Sequence, residues 1–154
     1  MKVYLDVCCL NRPFDDQTQN RVRLEAEAVL AILVRFQTGQ WQWISSEVVD
    51  IEIDHTPDSE RKCRVRILTT ASRKSIMVSK EAEKRAQEIE KIGFHPFDAL
   101  HLACAESGAV DVFLTTDDDL LRISSQHADK LAIRVENPLT WLVEVEKDES
   151  TNDD

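Results

Sequence analysis

Residues 96–121, PFDALHLACAESGAVDVFLTTDDDLL, carry the signals that decide the fold. Pro96 suits the first position of a helix because its missing amide hydrogen would go unused there, and Gly108 stops that helix at about Ser107. Val110 to Thr115 then reads as a buried strand, and Asp117 to Ser124 as a short helix. The same order recurs to either side. Lys2 to Leu10 is rich in Val, Leu and Cys and predicts a first strand. Gln19 to Phe36 places Val22, Ala26, Val29, Leu33 and Phe36 at helical spacing before Gly39. Gln42 to Ser45 predicts a short strand, with Ser46 capping a helix that starts at Glu47. Pro57 ends that helix and another runs from Ser59 to Ser72. Ser75 to Val78 is a strand, Lys80 to Ile92 a charged helix stopped by Gly93, and Leu131 to Val135 a last strand. Strands alternate with helices and no Asn-Gly hairpin signal appears. The expected fold is therefore three-layer α/β/α with a mainly parallel central sheet.

In 154 residues one core is expected, with 42% hydrophobic and 31% charged residues, as in a soluble globular chain. No apolar run reaches the roughly 20 residues of a membrane span, and Asp6 interrupts the apolar start, which argues against an export signal. Cys8, Cys9, Cys63 and Cys104 have neither zinc-ligand nor disulfide spacing, which predicts a reducing cytoplasm. The net charge of −10 is concentrated at the end: residues 144–154 hold six acids and one lysine. Residues 1–143 are thus the expected domain, and 144–154 an acidic, flexible tail. Without the tail the charge is −5, which neither favours nor excludes a polyanionic substrate.

Certain acids stand where acids are costly. In an open parallel sheet, ligands bind beyond the carboxyl ends of the strands. Asp6 follows Val3-Tyr4-Leu5 between apolar neighbours, where an unpaired charge costs several kcal/mol unless something compensates it. Asp117 follows the strand ending Thr115-Thr116, although an acid there also suits the first turn of a helix. Asp98 has the same structural excuse behind Pro96. Glu52 lies near a helix C-terminus, where acids are mildly unfavourable, and Glu47 is a rival for the same part. Converging carboxylates without a lysine cannot all ionise unless cations join them, and oxygen ligands select Mg²⁺ or Mn²⁺ over Zn²⁺. His95 and His101 bracket Asp98, but a spacing of six puts them on different helix faces. His95 then reads as a cap neighbour, and His101 as a packing or surface residue.

Four segments, VYLDVCCLNRPF, ISSEVVDIEI, HPFDALHLACA and FLTTDDDLL, together resemble the PIN domain, the fold of VapC-type toxins and other endoribonucleases. The resemblance covers nearly the whole chain before the tail. It implies that Asp6, Glu52, Asp98 and Asp117 are catalytic and bind one or two Mg²⁺ or Mn²⁺ ions, with Asp119 assisting. It favours Glu52 over Glu47. It also implies an RNA substrate, a homodimer and, for a toxin of a type II toxin–antitoxin pair, a cognate antitoxin. Cys8 departs from the pattern, since many relatives carry Thr or Ser there. Asn11 and Arg12, just past the first strand, are placed to approach a phosphate. Arg61 to Lys74 holds six basic residues and no acid, with Lys62, Arg66 and Arg73 at shared-face spacing; it is either a track for an RNA backbone or a solvated helix face. A receiver-type phosphoacceptor domain would need a lysine before the proline of Val135-Glu136-Asn137-Pro138, and none is present. The remaining alternative is a catalytically inactive PIN-like module that binds RNA or protein.

Overall fold

The computed structural model describes residues 1–71 and 73–152. Its strands are β1 Lys2–Leu5, β2 Gln42–Ser46, β3 Lys74–Ile76, β4 Val112–Leu114 and β5 Arg134–Glu136. They form one sheet in the order β3-β2-β1-β4-β5, and all four pairings are parallel. The helices among the described residues are α1 Val7–Asn11, α2 Asn20–Gln37, α3 Glu47–Asp54, α4 Ser59–Leu68, α5 Lys80–Ile92, α6 Pro96–Ser107, α7 Asp118–Gln126 and α8 Pro138–Asn152. Successive side chains of a strand point to opposite faces, yet Val3, Tyr4 and Leu5 of β1 and Val112, Phe113 and Leu114 of β4 are all buried. Both faces of the sheet are covered, as the three-layer α/β/α arrangement requires.

The chain builds the sheet outward from β1 through β2 to β3, then returns to add β4 and β5 on the other side. The order therefore reverses between β1 and β4, which leaves a crevice at their carboxyl ends. Tyr4 and Phe113 stack across this central pair with ring centroids 5.0 Å apart. No helix of the described residues is long and apolar enough to cross a membrane.

Several boundaries differ from the sequence reading for identifiable reasons. The first strand stops at Leu5 rather than Leu10. Asp6 keeps an extended backbone and gives its amide to Leu114 O (2.9 Å), while its carboxylate accepts the Val7 amide (2.8 Å) and so caps α1. The helix from Ser59 ends at Leu68, and Ser72, its expected end, lies outside the described residues. The last strand is Arg134–Glu136 rather than Leu131–Val135.

Residues 144–152 of the acidic segment continue α8, and 153–154 lie outside the described residues. Asn137 Oδ1 accepts the Leu139 and Thr140 amides at 2.8 and 3.3 Å, and Pro138 follows it, a favourable helix start. Trp141 and Leu142 are buried, with Trp141 against Trp41 at 5.0 Å between ring centroids. Arg35 of α2 lies 4.4 Å over the Trp41 ring and pairs with Glu146 and Glu149 at 3.2 and 3.1 Å.

Candidate metal centre

Two strand ends and two helices converge at the β1/β4 crevice. Asp6 is 6% exposed. Besides the Val7 amide on Oδ1, it accepts the Thr115 hydroxyl on Oδ2 (2.8 Å), with Cys8 Sγ at 3.4 Å from the same oxygen. Thr115 is fully buried, and its oxygen accepts the Asp117 amide (3.1 Å), so one hydroxyl ties the end of β1 to the end of β4. Asp117 caps α7 through Oδ1, which accepts the Asp119 and Leu120 amides at 2.9 and 3.2 Å. Asp98 stands in the first turn of α6, and Glu52 in the last turn of α3. Glu52, Asp98, Asp117 and Asp119 line one cleft of about 720 Å³, with His55, His95 and Arg122 also on its walls.

The electrostatics record crowding by like charges. Burial raises the pKa of Asp98 to about 6, with the negative charges of Asp6 and Asp117 adding to it; His101 and His95 pull the other way. Asp6 is likewise raised by burial, against the opposing pull of His101 and Thr115. Among the described residues, Asp6 and Glu52 pair only with His101, and Asp98 and Asp117 pair with no lysine or arginine.

The structure separates the other expected site residues. Glu47 turns away from the cleft and accepts the Val78 amide (2.5 Å), which leaves Glu52 as the α3 acid on the cleft. Asp119 sits on the cleft wall, paired with Arg122 at 3.1 Å. Asn11 and Arg12 do not line the cleft. The Asn11 amide group bonds Val7 O (3.1 Å) and its carbonyl accepts from Arg61, while Arg12 is held by Glu25 (2.9 Å) and Asp15 (3.2 Å). Among the described residues, five of the six basic side chains of the run from Arg61 to Lys74 form ion pairs. Arg61 pairs with Asp15, Arg64 with Glu60, and both Lys62 and Arg66 with Asp54; Arg73 lies beyond α4 and binds Asp50.

Glu25 has no place in the sequence reading, and His101, read there as a packing or surface residue, takes a larger part. Glu25 of α2 is 1% exposed and receives Arg12, Arg21 and Asn137; Arg21 in turn holds Asp118 and the Thr116 carbonyl beside the β4 end. His101 is fully buried. Its Nε2 lies 3.2 Å from Glu52 Oε1 and 4.0 Å from Asp6 Oδ1, and its Nδ1 lies 2.7 Å from Tyr4 Oη. Burial works to lower its pKa, but the bond to Glu52 and the charge of Asp6 outweigh this and leave it raised. The useful spacing was Asp98 to His101, three residues and hence one helix face, rather than His95 to His101.

Donor atoms of Asp6, Glu52 and His101 all lie within 4.8 Å of one another. Carboxylates held by amides and hydroxyls, crowded together and short of cationic partners, fit a divalent cation.

The PIN domain family model matches residues 3–126. The chain belongs to the PIN domain family. The matched span of this PIN domain includes all four cleft-region acids, Asp6, Glu52, Asp98 and Asp117, and ends within α7. Among solved structures it is similar to VapBC2 from Rickettsia felis, crystallised bound to a DNA fragment from their promoter. That match has 14% identity and a TM-score of 0.60, and covers 89% of this chain and 98% of that one. It is also similar to FitAcB from Neisseria gonorrhoeae, with 14% identity, a TM-score of 0.55, and coverage of 88% and 97%. These two likenesses carry the fold. No curated protein sequence matches the chain.

Proposed function

We propose that this PIN domain is a metal-dependent endoribonuclease that hydrolyses RNA phosphodiester bonds, and that it serves as the toxin of a type II toxin–antitoxin pair. The observation that carries the reading is the convergence of Asp6, Glu52, Asp98 and Asp117 on one crevice without a lysine or arginine partner. These four would hold Mg²⁺ or Mn²⁺, with Asp119 at the rim. A bound cation would make a water nucleophilic near neutral pH and offset charge developing on the phosphate, so no serine or cysteine nucleophile is needed.

The chain's own residues prepare for that chemistry. The Val7 amide and Thr115 hydroxyl fix the two oxygens of Asp6, and the α7 amides fix one oxygen of Asp117. Arg122, on the cleft wall beside Asp119, would meet a substrate phosphate together with Asn11 and Arg12 beyond the first strand. Likeness to VapBC2 and FitAcB supports a cognate antitoxin as partner, and a homodimer is the proposed assembly. Four free thiols suit a cytoplasmic protein.

Incubation of purified protein with mixed RNA and Mn²⁺, alongside Asp6→Asn and Asp98→Asn, tests the activity. Metal-dependent cleavage by wild type and its loss in both variants is expected; equal cleavage by all three, or none by wild type, defeats the assignment. The toxin reading predicts that expression arrests growth and that a small neighbouring reading frame restores it.

A further inference from the structure

The buried His101 ring sits between two unlike surroundings. On one side its Nδ1 meets Tyr4 Oη at 2.7 Å, and Tyr4 Oη meets Ser46 Oγ at 2.7 Å. On the other, its Nε2 faces carboxylate oxygens of Glu52 at 3.2 Å and Asp6 at 4.0 Å. A neutral imidazole carries one proton, and the hydroxyl pair permits either placement. If Tyr4 donates to Nδ1, the Nε2–H donates to Glu52. If Tyr4 donates to Ser46, Nδ1–H donates to Tyr4 and a lone pair at Nε2 is left facing two carboxylates. The second arrangement is repulsive alone and becomes favourable when a cation lies among the three donors. The separations of 3.2 and 4.0 Å from Nε2 suit one. Ligands about 2.1 Å from an octahedral ion stand about 3.0 Å apart when adjacent and about 4.2 Å apart when opposite.

Resting on the proposed metal-dependent function, we infer that His101 Nε2 is a nitrogen ligand of the cation beside Asp6 and Glu52, with the Tyr4–Ser46 hydroxyl pair orienting the ring, and that this donor tilts the site toward Mn²⁺ over Mg²⁺. Nitrogen ligation adds affinity for transition metals in the order of their binding strengths and adds little for Mg²⁺, which prefers oxygen. A hydrogen bond from the far nitrogen is the usual means of fixing such a ring, and Tyr4 supplies it.

The test uses the whole chain with Mn²⁺ alone and Mg²⁺ alone, without RNA. His55, His95 and His127 are replaced together by Gln, so that His101 is the one histidine left. Pulsed EPR of its Mn²⁺ complex should show a nitrogen coupling that changes when the protein carries ¹⁵N-histidine. Calorimetry at about pH 8 should show His101→Gln losing about tenfold or more in Mn²⁺ affinity, and about threefold or less for Mg²⁺. Gln can still donate to Glu52, so a ring that only orients Glu52 predicts little change for either metal. Tyr4→Phe should weaken Mn²⁺ more than Mg²⁺. A Mn²⁺ complex that depends on Asp6 yet shows no histidine nitrogen overturns this inference and leaves the metal site intact. Absence of any Asp6-dependent Mn²⁺ binding overturns the functional reading beneath it. If His101→Gln does not fold, the isotope result on the single-histidine protein decides alone.

Discussion

Replacing Thr115 by valine keeps the outline of the side chain and deletes one hydroxyl. That hydroxyl donates to Asp6 Oδ2 at 2.8 Å and accepts the Asp117 amide at 3.1 Å, in a fully buried position. A hydrogen bond to a charged group contributes about 1.5–3 kcal/mol. The Asp117 amide belongs to an exposed residue that water can reach, so it adds little to the cost. Thr115 also lowers the pKa of Asp6, against the burial that raises it. Valine therefore lifts that pKa further, and protonation of Asp6 relieves the penalty as pH falls. The expected destabilisation is about 2 kcal/mol at about pH 8 and less at about pH 5. Because Asp6 loses a fixed oxygen, Mn²⁺ affinity should fall by about 10–100-fold. Urea unfolding of metal-free protein at both pH values gives the first quantity, and calorimetric titration with Mn²⁺ the second. Thr115→Ser, which keeps the hydroxyl but loses a buried methyl, should keep wild-type Mn²⁺ affinity and lose about 1 kcal/mol equally at both pH values. A valine variant within about 0.5 kcal/mol of wild type at both pH values, with unchanged Mn²⁺ affinity, would refute the claim that this hydroxyl joins the two strand ends.

Asp98, with its pKa raised from 3.8 to about 6, makes a contribution to metal-free stability that is present at low pH and lost as pH rises through about 6. The stability difference between wild type and Asp98→Asn, which cannot ionise, should therefore shift against wild type from about pH 4 to 7; a difference flat with pH contradicts it. Glu25→Ala deletes a carboxylate, 1% exposed, that accepts from Arg12, Arg21 and Asn137; because Asp15 and Asp118 still hold the two guanidinium groups, it should cost about 1.5–3 kcal/mol in denaturant unfolding. A cost under about 1 kcal/mol would show that water satisfies both guanidinium groups. Deleting residues 144–154 removes Glu146 and Glu149 from Arg35 and should cost only about 1 kcal/mol, whereas Trp141→Ala should cost about 3–5 kcal/mol. The reverse ranking in thermal melts would mean that the helix end, rather than its buried tryptophan, anchors α8.

The alternation of strands and helices is readable because several helices announce their ends. Pro96 and Gly108 bracket α6, and Ser79 and Gly93 bracket α5. What failed was local competition. The apolar run from Lys2 to Leu10 reads as one strand, but the Asp6 carboxylate takes the Val7 amide and starts a helix that composition does not foretell. The run of acids after Val143 carries no sign of the helix that α8 forms, because the partner that stabilises it, Arg35, lies 111 residues away from Glu146. The site divides the same way. Asp6 and Asp117 stand at strand ends, and strand ends can be read in one dimension. Glu52 and His101 meet across two helices and 49 residues of chain, and only the fold brings them together.

The chain contains a single tyrosine, and it is the one whose hydroxyl touches His101. Any phenol-specific signal, whether ultraviolet difference absorbance, resonance Raman or the ring resonances of a selectively labelled sample, thus originates one hydrogen bond from the candidate centre. Nature has left the protein with a built-in optical probe. Filling of the cleft can be followed on unlabelled wild-type protein, before any substrate is known.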